Sequence, residues 1–127
     1  MAGSRRLGEY GEECARRYLE GLGWRLLAVN YGTPVGEVDL VFERSPAPHA
    51  ALVFVEVKTR SGESFGDPAE AVTGRKQARI VAAARRYLAA HPARDEPESR
   101  FDVVEVYTVP GKPTRVRHIA AAFGPID

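Results

Sequence analysis

The sequence predicts an α/β fold: one mixed β-sheet flanked by helices, with the elements in the order α-β-β-β-α-β-β. Three observations predict it. Apolar residues recur at helical spacing in two segments, one near the start and one between Arg75 and His91. Five shorter runs read as strands, three before the second helix and two after it. At 127 residues, with 44% hydrophobic and 28% charged, the chain has the size of a single domain over residues 1–127 and enough apolar material to fold without staples.

In the first helix the stripe is Leu7, Tyr10, Cys14, Ala15, Tyr18, Leu19 and Leu22, with Ser4 as N-cap and Gly21 or Gly23 as the stop. Glu9 and Glu13 point away from it. Glu12 lies at its edge beside Leu19, where it either reaches under a sheet or pairs with Arg16 one turn on. Trp24 to Tyr31 and Glu37 to Glu43 form a hairpin about the turn Gly32 to Gly36, and a loop from Arg44 to His49 leads to a third strand, Leu52 to Arg60. The Leu-Val-Phe-Val opening of that strand suits burial on both faces. Asp67-Pro68-Ala69-Glu70 is a helix start with Asp67 as N-cap, interrupted at Gly74. The second helix then runs to about His91, burying Ile80, Val81, Ala84, Tyr87 and Leu88. After a charged loop, Arg94 to Ser99, come strands from Phe101 to Val109 and, on an edge, from Thr114 to Ile119.

Several classes are excluded. No glycine fingerprint for nucleotides follows the first strand. The longest apolar run, Ala50 to Val55, is far short of a membrane span. Cys14 has no intramolecular partner, the opening residues lack a leader's apolar core, and both point to the cytoplasm. His49, His91 and His118 show no zinc spacing, and Cys14 suits the core.

Charge carries more information locally than globally. The net charge is only +1, yet Arg75, Lys76, Arg79, Arg85, Arg86 and Arg94 follow one another with no acid between them. This is either a solvated face or a nucleic-acid surface. In the second strand, alternation puts Glu37 and Asp39 on one face and Val38, Leu40 and Phe42 on the other, and in the third Glu56 and Lys58 share a face. These charges break apolar runs, where burial is costly without a metal or a partner. Gln77 projects toward the same region from the first turn of the second helix.

Two explanations stand. Lys58 is a structural counter-ion for Asp39 or Glu56, fixing register. Alternatively, the acids and Lys58 form a site for metal-assisted phosphodiester hydrolysis, with Lys58 beside the attacking water. With 15 arginines to 3 lysines, an arginine would better suit a static pair.

Gly8 with Gly11-Glu12, Asn30, Gly36-Glu37-Val38-Asp39-Leu40, Val53-Phe54-Val55-Glu56-Val57-Lys58-Thr59-Arg60, Phe65-Gly66, Lys76 and Arg100-Phe101-Asp102-Val103-Val104 together resemble the YraN-type family of uncharacterised bacterial proteins. The resemblance covers almost the whole chain. That family is in turn similar to the PD-(D/E)XK nuclease superfamily, which has a restriction-endonuclease-like fold and includes Holliday junction resolvases. The resemblance implies that Asp39, Glu56 and Lys58 are catalytic, with Glu12 as the first-helix glutamate. It implies that Asp39, Glu56 and the Val57 carbonyl hold Mg²⁺ or Mn²⁺, and that Lys76 and Gln77 are the polar pair opening the second helix. Val38 stands where the superfamily's name has proline, and Glu37 adds an acid.

The expectation is therefore a cytoplasmic, metal-dependent endonuclease-like protein acting on DNA, with structured or branched DNA as one option, with Arg75, Lys76, Arg79 and Arg86 on the nucleic acid, no membrane partner and a homodimer left open. A non-catalytic nucleic-acid-binding or adaptor module is the alternative. A distant third is a serine hydrolase, since Gly62-Glu63-Ser64-Phe65-Gly66 matches a nucleophile elbow with Asp102 and His118 in hydrolase order.

Overall fold

A computed structural model describes residues 2–44, 50–62, 65–92 and 98–124. It contains helix α1 (Ala2–Gly21), strands β1 (Arg25–Thr33), β2 (Gly36–Arg44) and β3 (Ala51–Ser61), helix α2 (Gly74–Ala90), and strands β4 (Glu98–Thr108) and β5 (Arg115–Phe123). The strands form one sheet in the order β1-β2-β3-β4-β5. Every neighbouring pair is antiparallel except β3 and β4. Parallel neighbours need a crossover, and α2 supplies it. The α/β architecture and element order are those the sequence predicts.

Each helix covers one face of the sheet. Ala15 and Leu19 of α1 pack with Trp24, Leu40, Phe42, Val53, Val55, Val104 and Val106. On the other face Ile80, Ala83, Ala84 and Tyr87 of α2 pack with Val38, Val41, Leu52, Phe54, Phe101 and Val103. The central strand β3 is thus buried on both faces, as its opening suggested. Alternation in β2 is not strict: Val38 joins Val41 on the α2 side, while Leu40 and Phe42 face α1.

Helix α1 is rotated from the expected stripe. Leu7, Tyr10, Tyr18 and Leu22 remain exposed, and Ala15 and Leu19 are buried with Gly11 beside them. The reason is steric: a Cβ on Gly11 would run into Thr59 of β3, so the close approach to the sheet is made by glycine and alanine rather than by the large apolar residues.

Other boundaries move for local reasons. Ser4 lies inside α1, not at its cap. Asp67 does not cap the second helix. Residues Pro68–Glu70 form a separate 3₁₀ turn, closed by the Glu70 N–H donating to the Asp67 carbonyl at 2.9 Å. Thr73 caps α2 instead, its side chain accepting from the Lys76 N–H, so Gly74 begins the helix rather than interrupting it. The hairpin turn shrinks to Pro34 and Val35 because the Thr33 hydroxyl accepts from both Val35 and Gly36 N–H groups, at 3.2 and 3.0 Å. β4 starts at Glu98 because Glu98, Ser99 and Arg100 pair with Ala51, Leu52 and Val53, and β5 continues past Ile119 to Phe123. The loop residues 45–49, His49 among them, and Arg94 lie outside the described residues.

Candidate active site

The β2–β3 ladder runs from Arg44↔Ala51 to Leu40↔Val55 and stops. β2 nevertheless continues with β1 to Thr33↔Gly36, and β3 continues with β4 to Ser61↔Thr108. The sheet therefore forks. One further step of the ladder would set Asp39 opposite Glu56, and like charges facing each other across strands repel. Each arm of the fork is held by a helix at a glycine. Gly11 of α1 lies on Thr59 of β3, and Gly36 of β2 lies on the Arg79 backbone carbonyl of α2.

Parting the strands frees backbone donors of β3, and Asp39 takes one of them: the Val57 N–H donates to its Oδ2 at 2.8 Å. An extended residue sends its N–H and carbonyl to the same edge, so the Val57 carbonyl is on the fork side as well. Glu56 is 4% exposed and takes the Lys76 ammonium of α2 at 2.6 Å. Asp39, Glu56, Glu37, Arg75, Lys76 and Arg79 line a cleft of about 490 Å³, together with Thr73 and Ile80.

The electrostatics follow from this crowding. Burial and the Glu56 charge beside it push the Asp39 carboxyl up to about 7, against the Val57 hydrogen bond. Glu12 is raised by burial and then by Glu37, while the Asn30 side chain works the other way. Burial and the neighbouring cations Arg60 and Lys76 lower Lys58, with Glu56 and Glu105 opposing. For Lys76, burial lowers and the Glu56 contact more than offsets it.

The expected site residues do not all converge. Asp39, Glu56, Glu37, Lys76, Arg75 and Arg79 share the cleft. Glu12 lies in a groove on the α1 side with Glu9, Glu13, Arg16, Val29, Asn30 and Leu40, and feels the fork acids from there. It is not the partner of Arg16, which lies 3.3 Å from Glu20. The structural counter-ion of Glu56 is Lys76, from another element, rather than Lys58. Gln77 donates to the Val72 carbonyl at 3.0 Å and so ties down the turn before α2. Arg86 is at a separate groove with Tyr31 to Pro34, and the basic series is therefore split.

Two acids of β4 are buried: Asp102, which the sequence offered only through the family motif and the hydrolase order, and Glu105, which sequence reasoning missed. Asp102 is fully buried, gripped by Arg100 Nε and Nη2 at 2.8 and 2.7 Å, by His118 Nε2 at 2.6 Å and by the Ala121 N–H. Burial alone would raise its carboxyl, but His118 and Arg100 hold it below the ordinary value. Glu105 is 1% exposed beside Arg60, Tyr107 and Arg117. Both acids interrupt an apolar run, the same signal that picked out Glu56. The Asp102–His118 contact has the look of a hydrolase dyad, but Ser64 lies outside the described residues. Its described neighbours Gly62 and Phe65 contact Thr108 and Tyr107, about 17 Å of strand from Asp102.

The donor set suits a hard divalent ion: two carboxylates and a backbone carbonyl, with a third acid, Glu37, in the same cleft. Among the described residues no group of three or more His, Cys, Asp or Glu side chains is placed to hold a metal, so an ion here would depend on backbone and water for its remaining ligands. No described helix is long and apolar enough to cross a membrane.

The model of an uncharacterised protein family, UPF0102, matches residues 11–106. A UPF0102 protein of Frankia alni is 51% identical over 118 residues, covering 92% of this chain and 93% of the relative. UPF0102 proteins of Symbiobacterium thermophilum (45% over 120 residues; 94% and 98% covered) and Myxococcus xanthus (44% over 119 residues; 94% and 90%) are also similar.

Proposed function

We propose that this chain, which belongs to the uncharacterised protein family UPF0102, is a metal-dependent endonuclease hydrolysing phosphodiester bonds in DNA, with structured or branched DNA as its substrate class. One observation carries the reading: two carboxylates from different strands, Asp39 and Glu56, meet where those strands part, at a cleft walled by Arg75, Lys76 and Arg79.

In this reading Asp39, Glu56 and the Val57 carbonyl hold Mg²⁺ or Mn²⁺, which when bound supplies an acidified water and offsets charge on the phosphate. Lys58, on the strand face of Glu56, sits beside the attacking water and the developing charge. Burial, with the neighbouring cations Arg60 and Lys76, lowers its proton affinity and favours such a proton-handling role. Arg75 and Arg79 take flanking phosphates. Glu12 and Glu37 contribute negative field at the fork. A lone, half-buried cysteine suits a reducing compartment, and the cytoplasm belongs to the same proposal.

A second reading, a nucleic-acid-binding module without catalysis, is favoured by the Lys76–Glu56 pair, because an internal ammonium compensates the buried acid with no ion bound. Cleavage separates the two. Single-stranded, duplex, flap and four-way DNA are incubated with Mg²⁺ or Mn²⁺, with Asp39→Asn as the blank. Metal-dependent cutting lost in the variant supports the nuclease. Binding without cutting by either ion supports the module, and neither binding nor cutting removes both.

A further inference from the structure

Beyond the fork, the same sheet face carries a second charged assembly. Lys58 and Arg60 follow Glu56 at alternate positions of β3, and Glu105 and Tyr107 of β4 pair with Arg117 and Arg115 of β5. Glu105 organises it. Arg117 Nε donates to its Oε1 at 2.6 Å, the Tyr107 hydroxyl donates to Oε2 at 3.1 Å, and Arg60 Nε is 3.4 Å from Oε2. Arg117 also donates to the Gly66 carbonyl at 2.8 Å. Phe65, edge-on to Tyr107, lies under both Arg115 and Arg117, whose guanidinium carbons are 4.6 and 4.7 Å from its centroid.

Among the described residues Lys58, Arg60 and Arg117 gather about one carboxylate, Glu105. Arg60 Nε is buried with no hydrogen-bond partner, although 41% of the side chain is open to solvent. A buried acid that holds Arg60 and Arg117 in place prepares them for a charged ligand at little ordering cost. The fork acids separate this ledge from Arg75 and Arg79 on α2, so cations stand on both sides of the acid pair. One small anion would need only one side. A chain of regularly spaced phosphates would use both.

We propose that the ledge of Lys58, Arg60, Arg115 and Arg117 binds the phosphodiester backbone of a DNA strand on the far side of the acid pair from α2, so that the strand crosses the fork rather than ending in it. The inference rests on the nucleic-acid reading of the fork and adds the path of the substrate.

The test is fluorescence anisotropy with labelled single strands of about 8 to 30 nucleotides and a four-way junction, in EDTA so that no cutting intervenes. The wild type should gain affinity in two steps as the strand lengthens. In the double variant Arg60→Gln, Arg115→Gln the second step should vanish, long strands should bind about tenfold more weakly, and the slope of log K against log salt should shrink by about one to two. Arg60→Lys with Arg115→Lys should restore most of the loss, and circular dichroism melting confirms that each variant is folded. If the wild type binds long strands and the glutamine variant matches it in affinity and slope, the ledge serves only the fold and the inference fails, with the fork reading intact. If the wild type binds no strand at low salt, the functional reading fails and takes the ledge with it.

Discussion

Asp39 shows most directly how position sets chemistry at the scale of one residue. Its folded-state carboxyl stands near 7 against an ordinary 3.8, so the proton is bound more tightly in the folded chain than in the unfolded one. Stability linked to it is therefore fully present below about pH 4 and lost as pH rises through 7, by up to roughly 4 kcal/mol. Asp39→Asn keeps an acceptor for the Val57 N–H but never ionises. Its melting temperature should exceed the wild type's by several degrees at pH 8, with the gap closing by pH 4; a gap that ignores pH would remove Asp39 as the source. The two lysines near Glu56 divide in the same way. Lys76→Met strips a buried acid of its partner and should cost about 1–2 kcal/mol, the lower end for such pairs because half of Lys76 meets water. Lys58→Met should barely move the melting temperature but should slow cutting about 100-fold or more, and Lys58→Arg should not rescue a positioned water. Equal cutting by wild type and Lys58→Met would end the proposed role. Asp39, Glu56 and Lys58 were legible because charges inside apolar strands are expensive and need a reason. The pairing of Glu56 with Lys76 was not, because it joins residues on two elements whose relative placement no local pattern encodes.

Among the elements, two glycines decide how helices meet strands. On Gly36 a Cβ would strike the Arg79 carbonyl, part of a helix backbone that cannot swing aside, and on Gly11 it would strike the Thr59 side chain, which can partly move. Gly36→Ala should therefore destabilise by about 2–3 kcal/mol and Gly11→Ala by about 1–2. Both changes lift a helix off an arm of the fork, so activity should fall further than stability alone explains. Denaturant midpoints combined with cleavage rates check this, and a Gly36→Ala protein of wild-type midpoint would show that the contact is not tight. The same contacts explain why α1 was misread. The expected stripe placed Leu7, Tyr10, Tyr18 and Leu22 inward with Ala15 and Leu19, yet the close approach at Gly11 turns only Gly11, Ala15 and Leu19 to the sheet and leaves the other four at the margin. The element order, the β1–β2 hairpin and the edge position of β5 were legible from lengths and turns. The fork was legible only as a row of acids, because where a ladder ends depends on what faces each strand across the sheet.

At the scale of the whole molecule the +1 net charge conceals a division that only the fold creates: acids where β2 and β3 part, cations on α2 and on the β3–β5 ledge around them. A cation placed between Asp39 and Glu56 would relieve their repulsion only in the folded chain, and its binding therefore appears as global stability. With 10 mM Mg²⁺ and a Kd of about 1 mM the gain is about 1.4 kcal/mol, or about 3–6 °C for a domain of this size. Because the ion competes with the proton that Asp39 holds up to about 7, the rise should be larger at pH 8 than at pH 6. Asp39→Asn removes both the ligand charge and the competing proton, so its melting temperature should respond to neither the ion nor the pH at which it is added. Thermal melts of the two proteins at both pH values, with Mg²⁺, with Mn²⁺ and with EDTA, separate the outcomes. An equal rise in the variant would place the ion outside the fork, and a wild-type rise of the same size at pH 6 and pH 8 would mean that the ion does not displace the Asp39 proton.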